Sequence, residues 1–419
     1  MRLVFFALGS RGDVQPYIAL AKKATQYGHS ALICTGKTFE KLVKENGVEF
    51  KEVESDLMAM LESDEGKFIY NSALKHPLIT KNYVKKVVNP AFRKTLDQFW
   101  EGAQNADVLI YHPKAFGAPD MAFALGIPCI NMPLIPVVYP IEEFPNLIIS
   151  TNKNFGRVLN KFTYTVMSNA ERSNMKEVND FREKTLKLPK RKAGIYNLAI
   201  EGNKIPIIYP LNPMLFEDVK SWGNNIFLPG FFYLDTDELH LDTLIKQFIN
   251  EGSKPIVISF SSTPLKDPLD FRNKLKQALI KTGNRGIVLT GTSGIPLEKD
   301  NHFLAIHAAP HTLLFPLAKG IVHHGGVGTM ATALKSGKPQ MIIPFAVDQP
   351  FWANLLYKKG YSLKPLNEKD IEVDALISRF KQMEEKETRK NADLVKNILD
   401  KEKGTQSALE YIEKIVKEW

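Results

Sequence analysis

The chain has 419 residues, 44% of them hydrophobic and 24% charged, with apolar material for more than one core and no low-complexity segment. No apolar run is long enough to span a bilayer, and the two cysteines, Cys34 and Cys129, fall in no metal or redox spacing, which fits a reducing cytosol. The net charge of +9 reads either as a lysine-rich solvated surface or as attraction to an anionic membrane face or a phosphorylated ligand.

The opening "RLVFFAL" (2–8) is read as a buried strand rather than a signal peptide, because the apolar run is short and the polar "SRGD" follows directly. Helical spacing over 16–29 ends at Gly28, a left-handed cap. Strands are expected at 30–36, 106–113 and 127–134, with a helix over 117–126. This β-α-β alternation argues a parallel sheet and an α/β fold. The stretch from 137 to about 190 is Pro-broken, then polar and basic, before an apolar run at 204–211. A Pro, Gly and Trp-rich passage then marks a junction, 213–230. A second alternating set follows. Strands are expected at 254–262, 285–291, 302–308, 320–324 and 338–344, and helices at 268–283, 310–318 and 329–337. A long charged helical region closes the chain from about 370. The expected division is an N-terminal domain over 1–212, a linker over 213–230 and a C-terminal domain over 231–400. A last helix over 401–419 returns towards the first domain.

Basic residues concentrate at 81–94 and 184–192, without the interleaved aromatics of a single-strand nucleic-acid platform, so nucleic acid is not an expected partner. "DTD" (235–237) lies in an acidic linker and reads as solvated charge rather than a metal–nucleotide chelate.

The chemistry concentrates in "HHGGVGT" (323–329), between a strand and a helix. Gly325, Gly326 and Gly328 let main-chain N–H groups approach a ligand, and Thr329 stands where the helix begins. A helix start with free N–H groups and a positive dipole end suits a diphosphate, although the same glycines also suit a plain tight turn. Adjacent strand residues point to opposite faces, so His323 and His324 do not grip one metal together. His324 is placed to donate to a phosphate oxygen, and His323 reads as a satisfied core histidine. Asp348 and Gln349 follow the next strand, in the crevice where open α/β sheets bind ligands; Asp348 equally suits a helix N-cap. In the first domain "GSRGDVQP" places Asp13 before a helix, as a cap or as a general base. His112, at a strand end, lines the same crevice or belongs to the core. A dinucleotide-dependent oxidoreductase is disfavoured, because "GSRGD" lacks the G-x-G-x-x-G spacing.

Together "GSRGDVQP", "HHGGVGT" and "GKPQMIIPFAVDQPFW" resemble the family-1 glycosyltransferases of GT-B fold. The likeness is to the branch that includes sterol glucosyltransferases and antibiotic-aglycone glycosyltransferases. It extends to "ADVLIYHPKAFGAPDMAFALGIPCINMPL", "FLPGFFYLD" and "PIVISFSS", and so covers nearly the whole chain. The resemblance implies two Rossmann-like parallel-sheet domains facing across a cleft. It implies a nucleotide sugar, UDP-glucose above all, as co-substrate on the C-terminal domain, with no separate cofactor and no metal. By the same likeness Ser262, His324, Gly326, Gly328 and Thr329 hold the diphosphate, and Asp348 and Gln349 hold sugar hydroxyls. Asp13 matches the branch's catalytic base. Ala309 and His311 fall where plant members carry a uracil-stacking Trp and a Gln, and Thr332 falls near their ribose-binding Glu. "SFSS" (259–262) replaces the usual "GFGS", so a thymidine diphosphate sugar stands beside UDP-glucose.

The expected reaction is an inverting single displacement in which Asp13 takes the proton of an acceptor hydroxyl. Segments 60–100 and 137–190 are rich in apolar and aromatic residues and are expected to wall a pocket for a lipophilic acceptor such as a sterol, lipid or natural-product aglycone. Their basic flanks suit peripheral contact with the inner face of a membrane by a cytoplasmic protein, as a monomer or weak dimer. Two rivals share the fold: a nucleotide-sugar epimerase, and a catalytically silent homologue acting as a binding partner.

Overall fold

The structure is a computed structural model; it describes residues 1–419 except 54–82, 194–197, 235–239, 261–263 and 346, and omits the side chains of 84–85 and 167–170. The chain divides into two compact units, each with its own parallel sheet. Unit 1 takes in Met1–Ile149, Asn154–Leu234 and Lys403–Trp419; unit 2 takes in Ser150–Lys153 and Asp235–Glu402.

Seven strands form the sheet of unit 1: β1 (Arg2–Phe6), β2 (Ser30–Thr35), β3 (Glu49–Glu52), β4 (Val108–Tyr111), β5 (Cys129–Asn131), β6 (Ile207–Ile208) and β7 (Ile226–Phe227). Their order is β3-β2-β1-β4-β5-β6-β7, all parallel. The unbroken apolar run of β1 follows from burial on both faces. Leu3 and Phe5 join one core with Ile33, Val108 and Ile110, while Val4 and Phe6 join the other with Cys34, Leu109 and Tyr111. Helix α1 (Arg11–Gln26) covers the first of these cores through Val14, Tyr17 and Ile18. Helix α2 (Arg157–Thr163) follows the Pro-broken segment.

Unit 2 is built on β8 (Ile256–Ser259), β9 (Gly286–Leu289), β10 (Glu298–Lys299), β11 (Phe303–Ile306), β12 (Gly320–His323) and β13 (Gln340–Ile342), in the order β10-β11-β9-β8-β12-β13. All neighbours are parallel except β10 with β11. Two of its helices matter for the site, α3 (Val327–Lys335) and α4 (Gln349–Lys358). The charged C-terminal region is three helices, Val373–Gln382, Lys386–Leu399 and α5 (Gly404–Glu418). The last belongs to unit 1, where Ala408, Leu409 and Ile412 bury against the same core as α1.

The start of α1 differs from the sequence expectation. Helix α1 begins at Arg11, five residues before Pro16, so Asp13 lies inside the first turn rather than ahead of the helix. Ser10 occupies the N-cap position, and the Asp13 carboxylate reaches back to accept its main-chain N–H at 2.7 Å. That bond satisfies an orphan donor at the helix start and holds the turn helical despite the downstream Pro. Among the described residues no helix is long and apolar enough to cross a membrane.

Candidate functional site

In unit 1 the sheet order reverses between β1 and β4, and the crevice beyond their carboxyl ends is where open α/β sheets bind ligands. Asp13 follows β1 and His112 follows β4, so topology brings together residues 99 positions apart in sequence. The Nε2 of His112 lies 3.5 Å from Asp13 Oδ1. The main-chain N–H of Lys114 donates to His112 Nδ1 at 3.1 Å, so the proton of the neutral ring sits on Nε2, facing the carboxylate. The Lys114 ammonium lies 3.4 Å from Asp13 Oδ2, the oxygen that also accepts from the Ser10 N–H and, at 3.0 Å, from the Ser10 hydroxyl. Gly9 (φ +130°) passes so close that a Cβ there would collide with the Asp13 carboxylate and come within 2.9 Å of Lys114 Nζ.

Burial works to raise the pKa of Asp13. The His112 hydrogen bond, the Lys114 charge and the Ser10 N–H outweigh it and hold the carboxyl well below the usual carboxylate range. Burial lowers the pKa of His112 despite the carboxylate beside it, so the ring stays neutral at physiological pH. The result is an ionised, partly exposed carboxylate held from one side by Ser10 and Lys114 and from the other by His112.

In unit 2 the order reverses between β8 and β12. The strand β12 ends at His323, and His324 stands just past it. The two rings part company as strand neighbours must. His323 is fully buried, its Nδ1 accepting from the Gly325 N–H at 3.1 Å and its Nε2 donating to Gln340 Oε1 at 2.8 Å. Burial pushes its pKa down to about 3. His324 is also mostly buried, yet its Nδ1 makes no hydrogen bond among the described residues. Burial lowers its pKa, with the nearby Ser259 main chain pulling the other way.

The glycines of the turn have separate reasons. Gly325 is left-handed (φ +91°) and packs on Ile342. At Gly326 a Cβ would strike the His324 ring, so the missing side chain is the room that ring needs. At Gly328 nothing lies within 4 Å of where a Cβ would be. Helix α3 starts at Val327 with no side-chain cap at Gly326, so Thr329 is its third residue rather than its first, and the N–H groups of a first helical turn have no partner within their own helix. Helix N-termini of this kind favour negative charge, through the dipole and the N–H groups together.

The carboxyl end of β13 leads to Asp348 and Gln349. Asp348 holds the N-cap position of α4 but makes no side-chain cap bond; its Oδ2 accepts from the Trp352 indole N–H at 2.5 Å. The Gln349 amide oxygen accepts from the Phe345 N–H at 2.8 Å. Just before them Val347 is left-handed (φ +55°), a strained state for a β-branched residue. Beyond β11, Ala309 packs at the edge of the core, and His311 opens a short helix with its Nε2 3.0 Å from the Ser259 hydroxyl and its ring stacked on Phe315. Ser262 and "DTD" lie outside the described residues, as does much of segment 60–100. Sequence reasoning missed Ser10 and Lys114. Ser10 was legible as the first member of an S-x-x-D pair; Lys114 carried no signal beyond its place two residues past His112.

The fold and both switch points define a two-unit α/β protein with a carboxylate–histidine pair in one unit and a glycine-rich strand-to-helix turn in the other. Residues 3–136 match the glycosyltransferase family 28 N-terminal domain, and 300–408 match the C-terminal domain of erythromycin biosynthesis protein CIII-like proteins. A sterol 3-beta-glucosyltransferase of Arabidopsis thaliana is 30% identical over 98% of this chain and 64% of its own length. One of Pichia angusta is 29% identical over 98% of this chain and 33% of its own. The chain thus spans less than two thirds of these relatives. Among solved structures, the kitacinnamycin glycosyltransferase superposes with a TM-score of 0.72 at 16% identity, covering 99% of this chain and 98% of that one. The spinosyn forosaminyltransferase does so at 0.69 and 15%, covering 100% and 99%. The chain thus carries a glycosyltransferase family 28 N-terminal domain and has the fold of these solved glycosyltransferases.

Proposed function

We propose that the chain is an inverting glycosyltransferase that moves a hexose from a nucleotide diphosphate sugar, UDP-glucose, to a hydroxyl of a lipophilic acceptor such as a sterol. Unit 2 holds the donor. The N–H groups at the start of α3, its dipole and His324 meet the charge that grows on the leaving diphosphate, so no metal is required. Asp348 and Gln349 read sugar hydroxyls. Ala309 and His311 border the nucleoside, and Ser262 adds a hydroxyl to the diphosphate.

The observation that carries the reading is the Asp13 cradle. Oδ2 already accepts from Ser10 and faces Lys114, whereas among the described residues Oδ1 faces only His112, at 3.5 Å. A carboxylate oxygen has about two lone-pair sites, so Oδ1 is the atom that accepts the acceptor's proton. A carboxylate held this acidic is a weak base towards an alcohol. It works because the attacking oxygen becomes acidic only as its bond to the anomeric carbon forms and the bond to the diphosphate breaks. His112 keeps the carboxylate aimed without taking its proton.

The test is incubation of the protein with UDP-glucose and a sterol, with a dTDP-glucose arm and an EDTA arm, read by mass. A glucosylated sterol formed in EDTA supports the reading. Asp13→Asn should cut turnover roughly 10²–10⁴-fold. Conversion of donor alone to an isomer would point to an epimerase, and unchanged turnover in Asp13→Asn would reduce Asp13 to a helix cap.

A further inference from the structure

Helix α2 carries an apolar face that no described residue of unit 1 covers. Val158 is 82% exposed, Phe162 68%, Leu159 58% and the preceding Phe155 40%. Four large apolar side chains exposed within eight residues are not the scattered surface apolars of an ordinary soluble face; such patches mark contact sites. Two of the residues between them are basic. Arg157 and Lys161, one turn apart, both reach Glu142, Arg157 at 2.7 Å and Lys161 at 3.2 Å.

The charge around this face is lopsided. From Arg157 to Lys192 ten Lys and Arg stand against four Asp and Glu, an excess of six on a chain whose whole net charge is +9. Arg182 and Arg191 are buried among Asp120, Glu171 and Glu201 and hold the segment in place. The other eight basic residues are all exposed. A protein partner for so basic a segment would have to be acidic and greasy together. A bilayer with anionic headgroups has both properties in layers, phosphate outside and acyl chains beneath.

We propose that α2 and Phe155 form a docking element for an anionic membrane surface. Phe155, Val158, Leu159 and Phe162 enter the acyl boundary, while Arg157, Lys161 and the exposed lysines beyond them meet lipid phosphates. The element is far too short to span and lies in the interface plane. This inference does not depend on the transfer reading, since it uses none of the donor or base residues.

The full chain is floated with phosphatidylcholine vesicles and with phosphatidylcholine–phosphatidylglycerol vesicles, with no sugar donor present, so the outcome is separate from that of the transfer test. The wild type should rise with the anionic vesicles, more weakly as salt is raised. The double variant Val158→Asp/Phe162→Asp should lose partitioning by about ten-fold or more while melting at the wild-type temperature, because both side chains face solvent. Wild-type protein that stays with neither vesicle, or a double variant that floats like wild type, would overturn the proposal. So would a homodimer seen by light scattering that the double variant dissolves in the absence of vesicle binding, since the face would then serve a second copy of the chain.

Discussion

Lys114 sets the acidity of Asp13 from outside the helix that carries it. Its ammonium is half exposed and 3.4 Å from the carboxylate, close enough to favour the charged form at any effective dielectric constant. Removing it should let burial raise the Asp13 pKa. Turnover by a base falls as pH drops through that pKa, so in Lys114→Met the acid limb of kcat/KM should move to higher pH than in the wild type. A profile unmoved by the substitution would leave Ser10 and His112 as the groups that set the acidity. The two histidines of the turn separate by a different measurement. The His323 pKa is about 3 when folded, against ~6.5 for an unfolded histidine. The unfolded chain therefore takes up a proton that the folded chain refuses, and the neutral ring's contribution is lost as pH falls from about 6.5 towards 3. His323→Gln should be less stable at pH 7, yet its urea midpoint should change less between those limits. His324→Ala should instead raise the donor KM.

At the scale of elements, the α3 turn offers a substitution in which stability and binding part. Gly328 lies in the first turn of a helix with no atom near its absent side chain. Alanine there should leave the melting temperature unchanged or raise it, since glycine in a helix costs up to about 1 kcal/mol relative to alanine. The new methyl would occupy that open space in the first turn of α3, where the diphosphate is proposed to sit. Gly328→Ala should therefore raise the donor KM in a protein at least as stable as wild type; an unchanged KM would place the diphosphate elsewhere. Much of this element pattern was readable beforehand, because strands buried on both faces appear as unbroken apolar runs and the turns between them as Gly-rich loops. Boundaries were less readable. Pro16 suggested a first helical residue, while the Ser10–Asp13 pair that starts the helix earlier is a matter of side-chain geometry. The closeness of Asp13, His112 and Lys114 was not readable either, because it follows from β1 and β4 being neighbours in the sheet while roughly a hundred residues separate them in the chain.

For the whole molecule, the two units differ in what ligand binding should do to them. Each has cores on both faces of its own sheet, and α5, although last in the chain, belongs to the first. A ligand held only by the folded form stabilises it by mass action, about 2.7 kcal/mol at a hundred times its Kd. UDP-glucose at saturating concentration should therefore raise the melting transition of unit 2, and dTDP-glucose should do the same to the extent that the base is not read closely. The proposed base belongs to the other unit. Asp13→Ala should keep the full UDP-glucose shift while losing transfer, whereas His324→Ala should lose both, as followed by differential scanning calorimetry beside the sterol assay. A shift that Asp13→Ala abolishes would mean that the carboxylate helps to hold the donor, and the division of labour between donor unit and base unit would have to be redrawn.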